Sequence, residues 1–136
     1  MFLKRKIITS FTRITLSDSG MRGACKYEII CGGDEAQLSQ YSVYYKNGRD
    51  ECELELSARC KSAAITDLLN RCSVMSWDGF CGANPRGVRD GWQFTFTAEV
   101  NGGRRLYATG SNNFPKHFRD FTNALNDMIR DQEDKK

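Results

Sequence analysis

The clearest alternation of apolar and polar positions runs over residues 92–100. Trp92, Phe94, Phe96, Ala98 and Val100 take turns with Gln93, Thr95, Thr97 and Glu99. Successive side chains of a strand point to opposite faces, so this pattern predicts a half-buried antiparallel strand. A second strand is predicted over residues 24–31. There Cys25, Tyr27, Ile29 and Cys31 share a face, against Lys26 and Glu28. Residues 6–16 are rich in β-branched side chains and read as a strand, but both alternating sets carry apolar residues, so neither face stands out as buried. Ser17, Asp18, Ser19 and Gly20 form a turn signal after it.

Turn chemistry fixes two hairpins. Asn47-Gly48 is the signature of a two-residue turn that needs positive φ at both positions. It pairs Lys46 with Arg49, Val43 with Cys52 and Tyr41 with Leu54, which brings the apolar members onto one face. Asn101-Gly102-Gly103 reads as a three-residue loop, which sets Leu106 and Ala108 on the apolar face of the next strand. That strand ends near Thr109 and Gly110.

The period changes to helical in two places. Ile65, Leu68, Leu69 and Cys72 recur at i, i+3, i+4, i+7, behind Ser62 as a cap, in a helix running to about Val74. Phe114, Phe118, Phe121, Leu125, Met128 and Ile129 follow a helix start at residues 110–115, with Asn as cap and Pro115 in the first turn. The charged tail 131–136 is expected to fray. The predicted order is ββββ-α-ββ-α. It implies an α+β fold, an antiparallel sheet of about six strands with both helices on one face.

Composition narrows the class. The 136 residues suffice for a single domain, 1–136, and a chain of this size buries roughly two-thirds of its unfolded surface without a metal or disulfide staple. A net charge of +3, with Lys and Arg scattered among acids, gives no basic face for nucleic acid. No apolar run approaches a membrane span, and the N-terminal residues lack the apolar core of an export signal, so the expected address is the cytoplasm. The six cysteines include no C-x-x-C and stand apart from the one histidine, His117, so they read as reduced thiols rather than a zinc site. Cys25, Cys31, Cys52 and Cys72 fall on predicted core faces.

Residues 76–92 form a long glycine-rich, aromatic loop of the kind that is often functional. Asp78 and Asp90 each precede a glycine; together they can hold a cation, and singly they are ordinary turn residues. Trp77, Phe80 and Trp92 can stack on a ligand or close the core. The segment 110–115 can offer helix N–H groups to an anion, though capping alone accounts for its composition. A His117–Cys81 pair has nothing behind it beyond the two residue types.

The segments Ser76-Trp77-Asp78-Gly79-Phe80, Pro85-x-Gly87-Val88-x-Asp90-Gly91, Val100-Asn101-Gly102-Gly103 and Gly110-Ser111-x-Asn113-Phe114-Pro115 resemble a family of small uncharacterised proteins of Firmicutes, many from gut bacteria. The resemblance covers most of the chain and is densest over residues 76–119. It implies no activity, cofactor or catalytic residue. Residue chemistry and resemblance together point to a small non-enzymatic binding domain for a protein or small ligand. Its expected surface combines Trp77, Asp78, Phe80, Arg86, Arg89, Asp90 and Asn112. The alternative is a metal-assisted hydrolase built on Asp78 and Asp90.

Overall fold

The computed structural model describes residues 7–20, 23–82 and 93–134. Its sheet has seven strands in the order β4-β3-β2-β1-β6-β7-β5. These are β1 (Phe11–Gly20), β2 (Gly23–Gly32), β3 (Glu35–Lys46), β4 (Arg49–Lys61), β5 (Cys81–Gly82), β6 (Gln93–Val100) and β7 (Arg104–Ser111). Helix α1 (Ser62–Arg71) follows β4, and α2 (Phe118–Asp134) ends the described chain. All neighbouring strands run antiparallel except β5, which pairs parallel with β7. The fold is α+β, as the periodicities predict, with this two-residue strand added.

Registers align the core side chains in rows across the sheet. One row is Leu106, Ala98, Ile14, Ile29, Leu38 and Ala58; the next is Ala108, Phe96, Leu16, Tyr27, Gln40 and Leu56. Nearly all of these residues are buried, and Ile65, Leu68 and Leu69 of α1 and Phe121, Leu125 and Ile129 of α2 are buried with them. Both helices therefore cover one face. The opposite face carries Arg13, Thr15, Ser17, Thr95, Thr97 and Glu99 from β1 and β6.

The two turn motifs behave as their chemistry dictates. Asn47 and Gly48 both have positive φ, and Lys46, Val43 and Tyr41 pair with Arg49, Cys52 and Leu54. Val100 pairs with Arg104 across Asn101, Gly102 and Gly103, all at positive φ, which leaves Leu106 and Ala108 buried.

Irregularities alter other expectations. β4 carries an extra residue, Glu55, because Gln40 pairs with Leu56 while Tyr41 pairs with Leu54. A bulge of this kind shifts which residues share a face. Tyr41, Val43, Cys52 and Leu54 thus face away from the helices, and Cys52 and Leu54 are exposed. A similar shift at Thr12 explains the mixed pattern of β1: Phe11 lies in the core before it, and Ile14 and Leu16 after it. Residues 17–20 continue β1 rather than turning, since Asp18 pairs with both Cys25 and Phe94.

The helix ends also differ. Ser62 is the first residue of α1 and makes no side-chain cap; its hydroxyl donates to Gly33 O at 2.7 Å and its N–H to Asp34 O at 2.8 Å. The helix stops at Arg71, and a left-handed Ser73 leads into a 3-10 turn over Val74–Trp77. α2 begins at Phe118, later than the segment 110–115, and continues to Asp134 through residues expected to fray. The delay has a steric cause. A Cβ on Gly110 would lie 2.0 Å from Asn113 O, and one on Gly82 would lie 2.6 Å from it. The chain at Asn112–Asn113 folds back onto these glycines, with Asn112 left-handed, before a helix can start.

Trp77 ties the layers together. It is 1% exposed and lies against Phe96, Phe118 and Phe121 at ring distances of 5.1, 5.8 and 5.5 Å. Its indole N–H donates to Lys116 O at 3.0 Å. Replacing Trp77 by Ala is expected to cost about 3–5 kcal/mol through lost burial and an unfilled cavity. Leu54, 54% exposed, should tolerate the same change within about 0.5 kcal/mol. Urea unfolding of the two variants measures both, and equal losses would contradict this assignment of faces.

Candidate functional site

The row of core-face residues beyond Leu16 reads Gly110, Phe94, Asp18, Cys25 and Ser42. Here the apolar pattern breaks. Asp18 continues the parity of Ile14 and Leu16, so its carboxyl points toward the helix layer and not toward the polar face. Together with Cys25, Tyr27 and Gln40 it forms the floor of a groove of about 710 Å³ beside α2. That volume is in the range of about 300–1,000 Å³ common to small-molecule sites.

The wall is a polar stripe of α2. Arg119, Thr122, Asn123, Asn126 and Arg130 recur at helical spacing and line the groove, while Phe121, Leu125 and Ile129 turn to the core. The end of the groove is the turn before α2, with Asn112, Phe114, Pro115 and His117. Phe114 stacks on Phe94 at 5.4 Å, which fixes this end against β6.

Several groups are held in place. The Tyr27 hydroxyl donates to Asn126 Oδ1, joining floor to wall. Gln40 Nε2 donates to Cys25 Sγ at 3.3 Å. His117 has a left-handed backbone, and its Nδ1 lies 3.1 Å from Asp120 Oδ2 in the first turn of α2. Burial pushes the Tyr27 hydroxyl above its ordinary range, reinforced by Cys25 beside it.

Asp18 is different. Its Oδ1 is closed off from solvent and has no hydrogen-bond partner. Burial raises its pKa above the ordinary aspartate value, and the charge of Arg119 works in the opposite direction. Arg119 and Arg130 are both exposed and enter none of the ion pairs formed among the described residues.

Of the residues expected to form a binding surface, Asn112 lies in this groove. Trp77 is buried in the core and offers no surface. Phe80 is half-buried against Phe94, at 6.2 Å. Asp78 serves the edge of the sheet: its Oδ1 accepts the Tyr107 N–H at 3.0 Å, and its Oδ2 lies 3.9 Å from Arg104. Gly79 N–H donates to Tyr107 O and Thr109 N–H to Phe80 O, so residues 78–82 run along β7. Arg86, Arg89, Asp90 and Trp92 lie outside the described residues. His117 turns to Asp120, and Cys81 is exposed on β5. Among the described residues no group of three or more His, Cys, Asp or Glu side chains is placed to hold a metal ion.

Asp18, Arg119, Asn126 and Arg130 were missed by reading for loops and motifs, yet the sequence marks them. Asn is a weak helix former, and two of them, Asn123 and Asn126, interrupt an otherwise good helix beside its apolar stripe. Asp is depleted in strands, which is why Asp18 resembles a turn residue. No helix among the described residues is long and apolar enough to cross a membrane. The chain matches no protein-family model, no curated protein and no solved structure.

The raised pKa of Asp18 sets a sign for its effect on stability. Below the ordinary value of 3.8 the carboxyl is protonated in both folded and unfolded chains, and it imposes no penalty. Above that value the unfolded chain ionises first, and the folded state loses stability until Asp18 ionises too. Asp18→Asn is therefore expected to raise the melting temperature at pH 7. The gain should shrink to nothing as pH falls below 3.8, in parallel thermal melts of the variant and the parent chain. A variant that melts lower at pH 7 would show that the carboxylate stabilises the fold.

Proposed function

We propose that this chain is a small cytoplasmic domain that binds a small ligand in the groove between α2 and the open ends of β1–β3, and that it is not an enzyme. The observation that carries this reading is the juxtaposition of a buried, unpartnered carboxylate oxygen on Asp18 with two exposed guanidinium groups on α2. Buried polar atoms are ordinarily satisfied, and an exception calls for an explanation. A ligand that pairs with the rest of the carboxyl, which lines the groove, supplies one. The aromatic end of the groove, Phe114 and Phe118, adds apolar surface of the kind small-molecule sites use.

The first part of the loop 76–92 belongs to core and edge in this reading, with Asn112 as its link to the site. The hydrolase alternative gains no support from Asp78, whose two carboxylate oxygens already face Tyr107 N–H and Arg104. The likeness to small Firmicutes proteins is compatible with this proposal and adds no activity to it.

An amide NMR titration with a library of small acids, amines, zwitterions and neutral aromatic compounds tests the reading. Shifts are expected to cluster on Asp18, Tyr27, Asn112, Arg119 and Asn123. The double variant Arg119→Gln, Arg130→Gln should weaken an acidic or zwitterionic hit about tenfold, or about 1.4 kcal/mol. Shifts confined to another surface, or no shifts with any compound, would refute the groove as a small-ligand site.

A further inference from the structure

The charges of the groove specify more than a site, and the following rests on the groove reading above. Its floor holds an acceptor that nothing in the described protein satisfies, Asp18 Oδ1. Its wall holds Arg119, close enough to influence the Asp18 carboxyl electrostatically, and Arg130 further along the same helical stripe. Asp120, the other acid in the groove, already has a hydrogen-bond partner in His117. The groups still unmatched are thus one carboxylate at the floor and guanidinium groups at the wall.

Ligands of a single sign fit this arrangement poorly. An amine satisfies Asp18 and is repelled by Arg119. A carboxylate or phosphate satisfies Arg119 and brings a second negative charge toward Asp18. Neutral polar molecules forgo the charge-assisted bonds that are the stronger ones. A molecule with an ammonium and a carboxylate a few ångströms apart satisfies both walls. The adjoining apolar surface of Phe114, Pro115 and Phe118 can receive a side chain.

We propose that the ligand class is a free amino acid with an apolar or aromatic side chain. Its ammonium pairs with the Asp18 carboxyl where that carboxyl lines the groove, its carboxylate pairs with Arg119, and its side chain lies toward Phe114 and Pro115. Asp18 and Arg119 are the specificity-determining residues. Asp18 sits between Phe94 and Cys25 on a paired strand, so its position is set by the sheet and not by a loop.

The test uses the full chain and matched probes. L-phenylalanine is compared with 2-phenylethylamine, which lacks the carboxylate, and 3-phenylpropanoate, which lacks the ammonium. The apolar amino acids leucine, isoleucine, valine, methionine, tyrosine and tryptophan complete the panel, all by amide NMR up to millimolar concentration. At least one amino acid is expected to move the groove amides, with each trimmed analogue of phenylalanine weaker by about tenfold or more. The variants should then change sign between probes. Asp18→Asn weakens the amino acid and strengthens 3-phenylpropanoate; Arg119→Gln weakens the amino acid and strengthens 2-phenylethylamine. A misfolded variant would weaken every probe, so the crossed pattern separates recognition from damage. Equal binding of a trimmed analogue and the amino acid would overturn the ligand class and leave the groove as a site. Absence of any response to every amino acid would overturn the class as well, and the broader library then decides separately whether the groove binds anything small.

Discussion

The indole N–H of Trp77 cannot be buried without an acceptor, and the acceptor it finds is Lys116 O. That one bond links a 3-10 turn after α1 to the residues that introduce α2. Around it, Trp77, Phe96, Phe118 and Phe121 pack edge to face and tilted, and Phe94, Phe114 and Phe118 extend the cluster to the end of the sheet. The cluster holds the N-terminal end of α2 over β6. The length of the helix then determines what it covers. Its apolar stripe reaches across toward β4, where Met128 and Ile129 join the core, and its polar stripe is left along the uncovered end of β1–β3. The groove is therefore a by-product of where an aromatic contact anchors a helix.

Much of this architecture was legible where local chemistry determines it. Asn47-Gly48 and Asn101-Gly102-Gly103 dictate backbone signs that few other residues accept, so register and buried face followed for β6 and β7. What escaped depends on partners distant in sequence. Asp18 looks like a turn residue until Phe94 and Cys25 are placed on either side of it. The extra residue at Glu55 has no local signature, yet it turns Cys52 and Leu54 toward solvent. Asn112 was legible as a polar residue before a helix, but its role at the end of a groove depends on Gly110 and Gly82 allowing the chain to fold back. For the site, the most conspicuous feature of the sequence is a loop with concentrated functional groups. The groups that converge come instead from a strand and a helix face, each unremarked in its own segment.

The two long borders of the sheet are treated differently. β7 is covered by residues 78–82, which occupy its free backbone groups through Asp78, Gly79, Phe80 and the two pairs of β5. Among the described residues no strand pairs with the outer side of β4, which carries Glu51, Glu53, Glu55, Arg59 and Lys61 and a bulge in its middle, devices that discourage strand addition. A filament built by joining sheets edge to edge needs two usable borders on every subunit, since each copy must hold one neighbour on either side. The described residues offer one. Even where the charges on β4 are neutralised, association of native sheets stops at a pair joined β4 to β4, and growth beyond that requires the β7 border to be unzipped first.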